Sequence, residues 1–267
     1  MSLPLARRWT RRSLITDFGA AGIGMIVLGA CAGSSDSSSD STSEAEPATT
    51  TGSPTSEAGG DVPDQDAEQS SDDRLQLQHV SLGFVSAYVL VRGSEVAIVD
   101  TGTSDSRDAI LAGLDAMSVG PEMVRHIVLT HNHGDHAGGL AGLEADLSGA
   151  TVYAGAADIG SIQSSLTLTE VNDGDEVFGM GIIGTPGHTP GSISLFDTAS
   201  GILVAGDAIN GDEQGGLTGA NPDFSPDMDS ANASVAKLAA LMPTTAAFGH
   251  GGPPVTDDVA AKLAALT

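Results

Sequence analysis

The chain has 267 residues, 40% of them apolar, and sets 35 acidic against 10 basic side chains for a formal net charge of −25. That length suits one large α/β domain or two small ones with enough apolar mass for a core. The acidity disfavours nucleic acid and anionic membrane surfaces, because binding a polyanion depends on cations that release its counterions. Aromatics are only 3% of the chain while Gly numbers 35, so the core must rest on Ala, Val, Leu and Ile in closely set layers.

Residues 1–30 have the layout of an export signal. Arg7, Arg8, Arg11 and Arg12 precede an apolar, Gly-rich stretch from Phe18 to Ala30 that is short for a bilayer span. Thr10-Arg11-Arg12-Ser13-Leu14-Ile15 resembles a twin-arginine motif, and Leu28-Gly29-Ala30-Cys31 resembles a lipobox. The resemblance implies export in the folded state, lipidation of Cys31 and anchoring to the outer face of the cell membrane. Cys31 is the only cysteine, so no disulfide can form within the chain. Residues 31–73 contain almost no large apolar side chain and cannot offset their ordering entropy, which predicts a flexible acidic tether. The folded domain is expected over 74–267.

Within it, Leu75 to Gln78 alternates, and the apolar runs Ala87–Val91 and Val96–Val99 flank the turn-like Arg92-Gly93-Ser94, predicting a hairpin. Ile110, Leu111, Leu114 and Met117 recur at helical spacing after the capping candidates Thr103 and Ser104. Ile127-Val128-Leu129 reads as a buried strand running into His131. Further strands are expected at Thr151–Tyr153, Ile193–Phe196 and Ile202–Ala205, and helices at Ala231–Leu241 and Thr256–Ala265. Strands mixed with helices suggest β layers covered by helices.

The run Thr130-His131-Asn132-His133-Gly134-Asp135-His136 places three imidazoles and a carboxylate on one turn after a strand, where they can face a shared point, as a zinc-like ion requires. Gly134 is expected to permit a tight bend. His188, Asp207 and His250 follow, each beside glycine at the end of an apolar run. Seven donors suit two metals that share one ligand. His79 and His126 are expected to be ordinary structural residues, and Asp223, Asp227 and Asp229 lack the spacing of a calcium loop.

The order and spacing of these residues resemble the metallo-β-lactamase superfamily over Leu75 to Thr267. The resemblance implies an α/β (α+β) fold, a four-layer αββα sandwich. It assigns His131, His133 and His188 to one metal, Asp135, His136 and His250 to the other, and Asp207 to both. Asp100 matches an early family aspartate and would orient the ligands from behind. The cofactors implied are two divalent ions, zinc first, with iron or manganese able to replace it. A hydroxide bridging the two metals would attack a small ester, thioester, lactone or similar bond, with Asp135 able to relay a proton.

Asp207 argues against antibiotic hydrolysis, since β-lactamases of this fold usually lack an aspartate there. The stretch 251–267 is expected to lack the cationic helical region with which glyoxalase II grips glutathione. A single-iron persulfide dioxygenase and a non-catalytic zinc-binding surface lipoprotein are competing readings of the same ligand set. The expected partner is a small-molecule substrate, with no nucleic acid. The Gly-rich segment Asn210–Asp229 is the candidate substrate-shaping loop.

Overall fold

A computed structural model describes residues 73–267 apart from Glu213. The export signal, Cys31 and all but the last residue of the tether lie outside the described residues. Two sheets form the centre. The first runs in the order β1 (Gln76–Ser81), β2 (Ser86–Arg92), β3 (Glu95–Val99), β4 (Val124–Leu129), β5 (Thr151–Gly155) and β6 (Leu168–Val171). Its first three strands are antiparallel and the steps from β3 to β6 are parallel. Parallel neighbours need crossovers. Helix α1 (Arg107–Ala116) lies between β3 and β4, while the single turns α2 (Gly134–Ala137) and α3 (Leu140–Leu143) lie between β4 and β5.

The second sheet is built from β7 (Glu176–Val177), β8 (Met180–Gly184), β9 (Ile193–Asp197), β10 (Ile202–Val204) and β13 (Thr245–Ala247), with β13 on the edge beside β10. A separate hairpin, β11 (Ile209–Gly211) and β12 (Leu217–Gly219), precedes α4 (Met228–Ala239), and α5 (Val259–Ala264) closes the chain.

The layering follows from the two-residue period of the strands. Val89, Val96, Ile98, Ile127 and Leu129 face outward and bury against Ile110, Leu114, Leu140 and Leu143 of the helices. Their neighbours Leu90, Ala97, Val99 and Val128 face the other way and pack on Met180, Ile182, Leu195 and Val204 of the second sheet. That sheet's opposite face, through Phe196 and Leu203, packs on Val235 and Leu238 of α4 and Val259 and Leu263 of α5. Three apolar seams therefore join four layers, helix, sheet, sheet and helix. Each fully buried Leu or Ile adds roughly 1.5–3 kcal/mol.

Several sequence expectations are corrected. The hairpin of β2 and β3 forms where expected, closed by Arg92 opposite Glu95. The helix after Thr103 and Ser104 starts later, with Ser106 at its N-cap. The helix expected at Ala231 starts at Met228 because Asp227 accepts from the Ser230 amide at 3.0 Å. The last helix is shortened to Val259–Ala264 because Val255 pairs with Ala246 and Asp258 takes a left-handed φ of 50°. Gly134 has no positive φ and opens α2 as an ordinary helical residue, so the bend does not depend on it. The candidate substrate-shaping segment Asn210–Asp229 contains most of the β11–β12 hairpin and the first two residues of α4.

Candidate metal centre

The candidate ligands gather at one end of the two sheets. His131 follows β4, Asp100 follows β3, and Asp207 sits in a 3-10 turn after β10. His250 comes after β13, and His188 lies between β8 and β9. Strand ends set side by side thus bring together residues far apart in the chain, from Asp100 to His250. Two backbone positions need the left-handed region: Asp100 at φ 60° and Gly206 at φ 55°, whose absent Cβ leaves room for Thr130.

The structure brings all seven expected donors together. His188 Nε2 lies 3.2 Å from His131 Nε2 and 2.9 Å from His133 Nδ1. His250 Nε2 lies 3.3 Å from His136 Nε2 and 3.4 Å from Asp135 Oδ2. The Asp207 carboxylate spans the two trios: Oδ1 is 3.3 Å from His136 Nε2, while Oδ2 is 3.4 Å from His188 Nε2 and 3.2 Å from His250 Nε2. Ligand atoms within each of three groups, His131/His133/His188, His131/His136/Asp207 and Asp135/His136/His250, lie within 4.8 Å of one another.

The outer nitrogens show which way the lone pairs point. His136 Nδ1 is 2.8 Å from Asp100 Oδ2, and His250 Nδ1 donates to the Phe84 carbonyl at 2.7 Å. His188 Nδ1 meets Ser225 Oγ at 3.1 Å, and His131 Nδ1 meets Thr130 Oγ1 at 3.1 Å. Protons held at these outer nitrogens leave the Nε2 lone pairs converging on the centre. Asp100 is itself pinned, accepting from the Thr130 amide and hydroxyl at 2.8 Å each.

The donor set fits divalent cations. Two nitrogens each about 2.0–2.1 Å from a tetrahedral zinc ion stand roughly 3.3 Å apart, and the imidazole pairs here lie at 2.9–3.3 Å. Asp207 Oδ1 is buried without a hydrogen-bond partner, a cost that a cation between the trios would remove.

The electrostatics agree with this. Burial opposes charge on His136, but Asp100, then Asp207 and Asp135, outweigh it and raise its pKa to about 9. His250 is raised chiefly by its hydrogen bond to Asp207. Burial, reinforced by repulsion from His136, holds His131 well below the usual imidazole value, and burial is also the main cause of the lowered His188. Burial pushes Asp207 up, yet the histidines around it, His250 foremost, keep it below the ordinary carboxylate range. The neighbouring carboxylates therefore favour protons on His136 and His250, with which an arriving metal would compete.

Several supporting residues escaped the sequence reading. Asp158, fully buried after β5, accepts from the Asn132 amide at 3.0 Å, the Thr189 hydroxyl at 2.6 Å and the Gly191 amide at 2.8 Å. It thereby ties the His131 turn to the His188 turn. The available signal was its place as the only charged residue between Val152 and Ile162. Phe84 and Ser225 had no motif to mark them. His79, on Ser86, and His126, stacked against Tyr153, lie outside the cluster, and Asp227 caps α4.

Gly249 packs against the centre so closely that a Cβ there would collide with Asp207 Oδ1 and His136 Cε1. Gly249→Ala is expected to weaken zinc binding by at least about tenfold, within the range for displaced supporting groups. Competition with a chromogenic chelator measures this, and an unchanged affinity would show that the centre tolerates the displacement.

Five of the ligands, His133, Asp135, His188, Asp207 and His250, line the floor of a cleft of about 830 Å³, bordered by Phe84, Phe224, Asn210, Gly211 and residues 218–222. A family model for the metallo-beta-lactamase superfamily matches residues 80–162 and 165–250. The chain belongs to that superfamily. Among its relatives is the Bacillus subtilis protein YobT, 28% identical over 198 residues, 62% of this chain and 83% of that one. A hydroxyacylglutathione hydrolase of Anaeromyxobacter dehalogenans is 34% identical over 125 residues, 46% of this chain and 45% of that protein, so less than half of that enzyme is spanned. A metallo-beta-lactamase family protein of Thermus thermophilus has the same fold, with a TM-score of 0.56, 25% identity, and coverage of 72% of this chain and 77% of that one. A chain solved in a di-iron-bound form shares the fold at a TM-score of 0.57 and 24% identity, with coverage of 70% and 98%.

Proposed function

We propose that this superfamily member is a two-metal hydrolase of small esters, thioesters or lactones. The observation that carries the reading is the buried Asp207 carboxylate set between two ligand trios, one of three histidines and one of two histidines and Asp135, on a cleft floor. In the proposed arrangement His131, His133 and His188 would hold one ion, zinc first, and Asp135, His136 and His250 would hold the other, with Asp207 available to both. The chemistry that two bound divalent cations supply is Lewis acidity, acidified water and a polarised acyl oxygen. Asp100 fixes the His136 ring, and the Phe84 carbonyl fixes His250. Asp135 is half-buried at the cleft, where its carboxylate can accept a proton from the attacking water and return it to the leaving group. The reaction consumes one water, breaks the acyl C–O or C–S bond and yields a carboxylic acid with an alcohol or thiol. Thioesters gain support from the hydroxyacylglutathione hydrolases among the relatives.

The test is zinc-loaded full-length protein offered chromogenic esters, thioesters, lactones and β-lactams. Turnover of one of the first three classes that is lost on chelation and restored by metal is expected. Stoichiometric metal with no turnover of any class would instead indicate a zinc-binding protein without catalysis.

We also propose that the chain is exported and held at the membrane through lipid on Cys31, a reading that rests on the leader motifs alone. Cys31→Ser is expected to shift the protein from the membrane fraction to the soluble fraction and to abolish labelling by a radioactive fatty acid. Equal partitioning of the two forms would end the proposal.

A further inference from the structure

The cleft over the ligand cluster has an unusual charge balance. Among the described residues no Lys or Arg lines it. Each described cation is engaged elsewhere or lies apart from the cleft. Arg92 pairs with Asp197, Arg107 with Asp146, Lys237 with Asp173 and Lys262 with Asp257. Arg125 donates to the backbone carbonyls of Glu122 and Val124, and Arg74 borders a separate depression beside Arg92 and Asp197. The carboxylates of the lining, Asp135 and Asp207, both belong to the ligand cluster, so away from that cluster the described lining carries no charged side chain, within a chain of net charge −25. A substrate carboxylate set away from the scissile bond, and so away from the ions that the ligand cluster would hold, would meet no cationic side chain there and a repulsive field outside.

The apolar features of the cleft point the same way. Phe84 and Phe224 are both 65% exposed, two of the three large apolar side chains in that condition among the described residues, and both line the cleft. Phe84 stacks on His250 at 6.0 Å between ring centres, beside one trio. Phe224 directly precedes Ser225, which contacts His188 of the other trio. An exposed aromatic ring on a concave surface loses apolar hydration when a ligand covers it. A volume of about 830 Å³ admits a small ligand with an apolar arm.

We propose that this cleft selects uncharged acyl substrates, esters or thioesters with an apolar arm held against Phe84 and Phe224, and discriminates against anionic carriers such as glutathione. The proposal rests on the hydrolase reading for the word substrate, while the selectivity is a property of the cleft that binding alone can measure.

The experiment uses zinc-loaded full-length protein and two thioethers that cannot be hydrolysed, the uncharged S-hexyl-N-acetylcysteamine and the anionic S-hexylglutathione, titrated calorimetrically. The uncharged compound is expected to bind at least tenfold more tightly. Phe224→Ala and Phe84→Leu should each weaken it at least threefold, the leucine retaining bulk beside His250. Thr218→Arg, which adds a cation at an exposed position of the cleft, should tighten S-hexylglutathione at least fivefold. Equal or tighter binding of S-hexylglutathione by the unmodified protein overturns the proposal, as does failure of both compounds to bind or an affinity indifferent to both ring substitutions. The matching hexanoyl thioesters judge the hydrolase reading separately. If the binding preference holds but neither thioester is turned over, the hydrolase reading fails and the cleft selectivity stands.

Discussion

Asp207→Ala is expected to reduce turnover of the best acyl substrate by at least about 100-fold, the kinetic equivalent of roughly 3 kcal/mol. Asp207 is the one side chain whose two oxygens face both ligand trios, with Oδ1 toward His136 and Oδ2 toward His188 and His250. Alanine removes the negative charge that would offset the repulsion between two dications held in one cluster of imidazoles. Metal content by mass spectrometry should therefore fall from about two ions per chain toward one. Asp207→Asn separates shape from charge: it keeps the side-chain volume and one acceptor oxygen but loses the charge. It should resemble alanine in metal content if charge is what matters. Two firmly bound ions and undiminished turnover in both variants would show that Asp207 does not join the two halves.

The dependence on one carboxylate explains why this centre was readable from sequence while much of its support was not. Histidine is scarce in the chain, seven in all, and three lie in the run from His131 to His136, so composition alone isolates the first ligands. Short unbroken apolar runs made β2, β3 and β4 legible, because both of their faces are buried between layers. By contrast β7 has two residues and β13 three, and each lies at a sheet edge where a single neighbour, β8 or β10, supplies its pairing. No local pattern marks such a strand. The start of α4 was missed for another reason: Asp227 caps it through a single hydrogen bond, and the same residue in a run of acidic neighbours reads equally well as solvated surface. Gly134 illustrates the opposite error. A glycine amid ligands suggested a special backbone angle, while positive φ at the site falls on other glycines, Gly206 among them, and on Asp100, a residue type chosen for its carboxylate.

Asp158 is where stability and metal binding meet, and Asp158→Ala is expected to destabilise the metal-free protein by about 3 kcal/mol while weakening zinc by roughly 10- to 100-fold. The carboxylate is fully buried and accepts three hydrogen bonds, from Asn132 and Gly191 amides and the Thr189 hydroxyl. Truncation leaves those donors in an interior with no room for compensation by bulk water, each at a cost of about 1–3 kcal/mol. The Thr189 hydroxyl can turn to Ser192 Oγ, 2.7 Å away, which limits the loss. Asn132 stands between His131 and His133, and Thr189 follows His188, so the same bonds set the distance between the two turns that carry one whole trio. Urea unfolding of the metal-free chain measures the first effect and chelator competition the second. Asp158→Asn, with one acceptor oxygen left, should fall between alanine and the unaltered chain in both. If alanine costs stability but zinc affinity is unchanged, Asp158 is a packing residue and the two turns are held in place by the sheets alone. If both fall together, the spacing of the histidines is set by a carboxylate that never touches the metal.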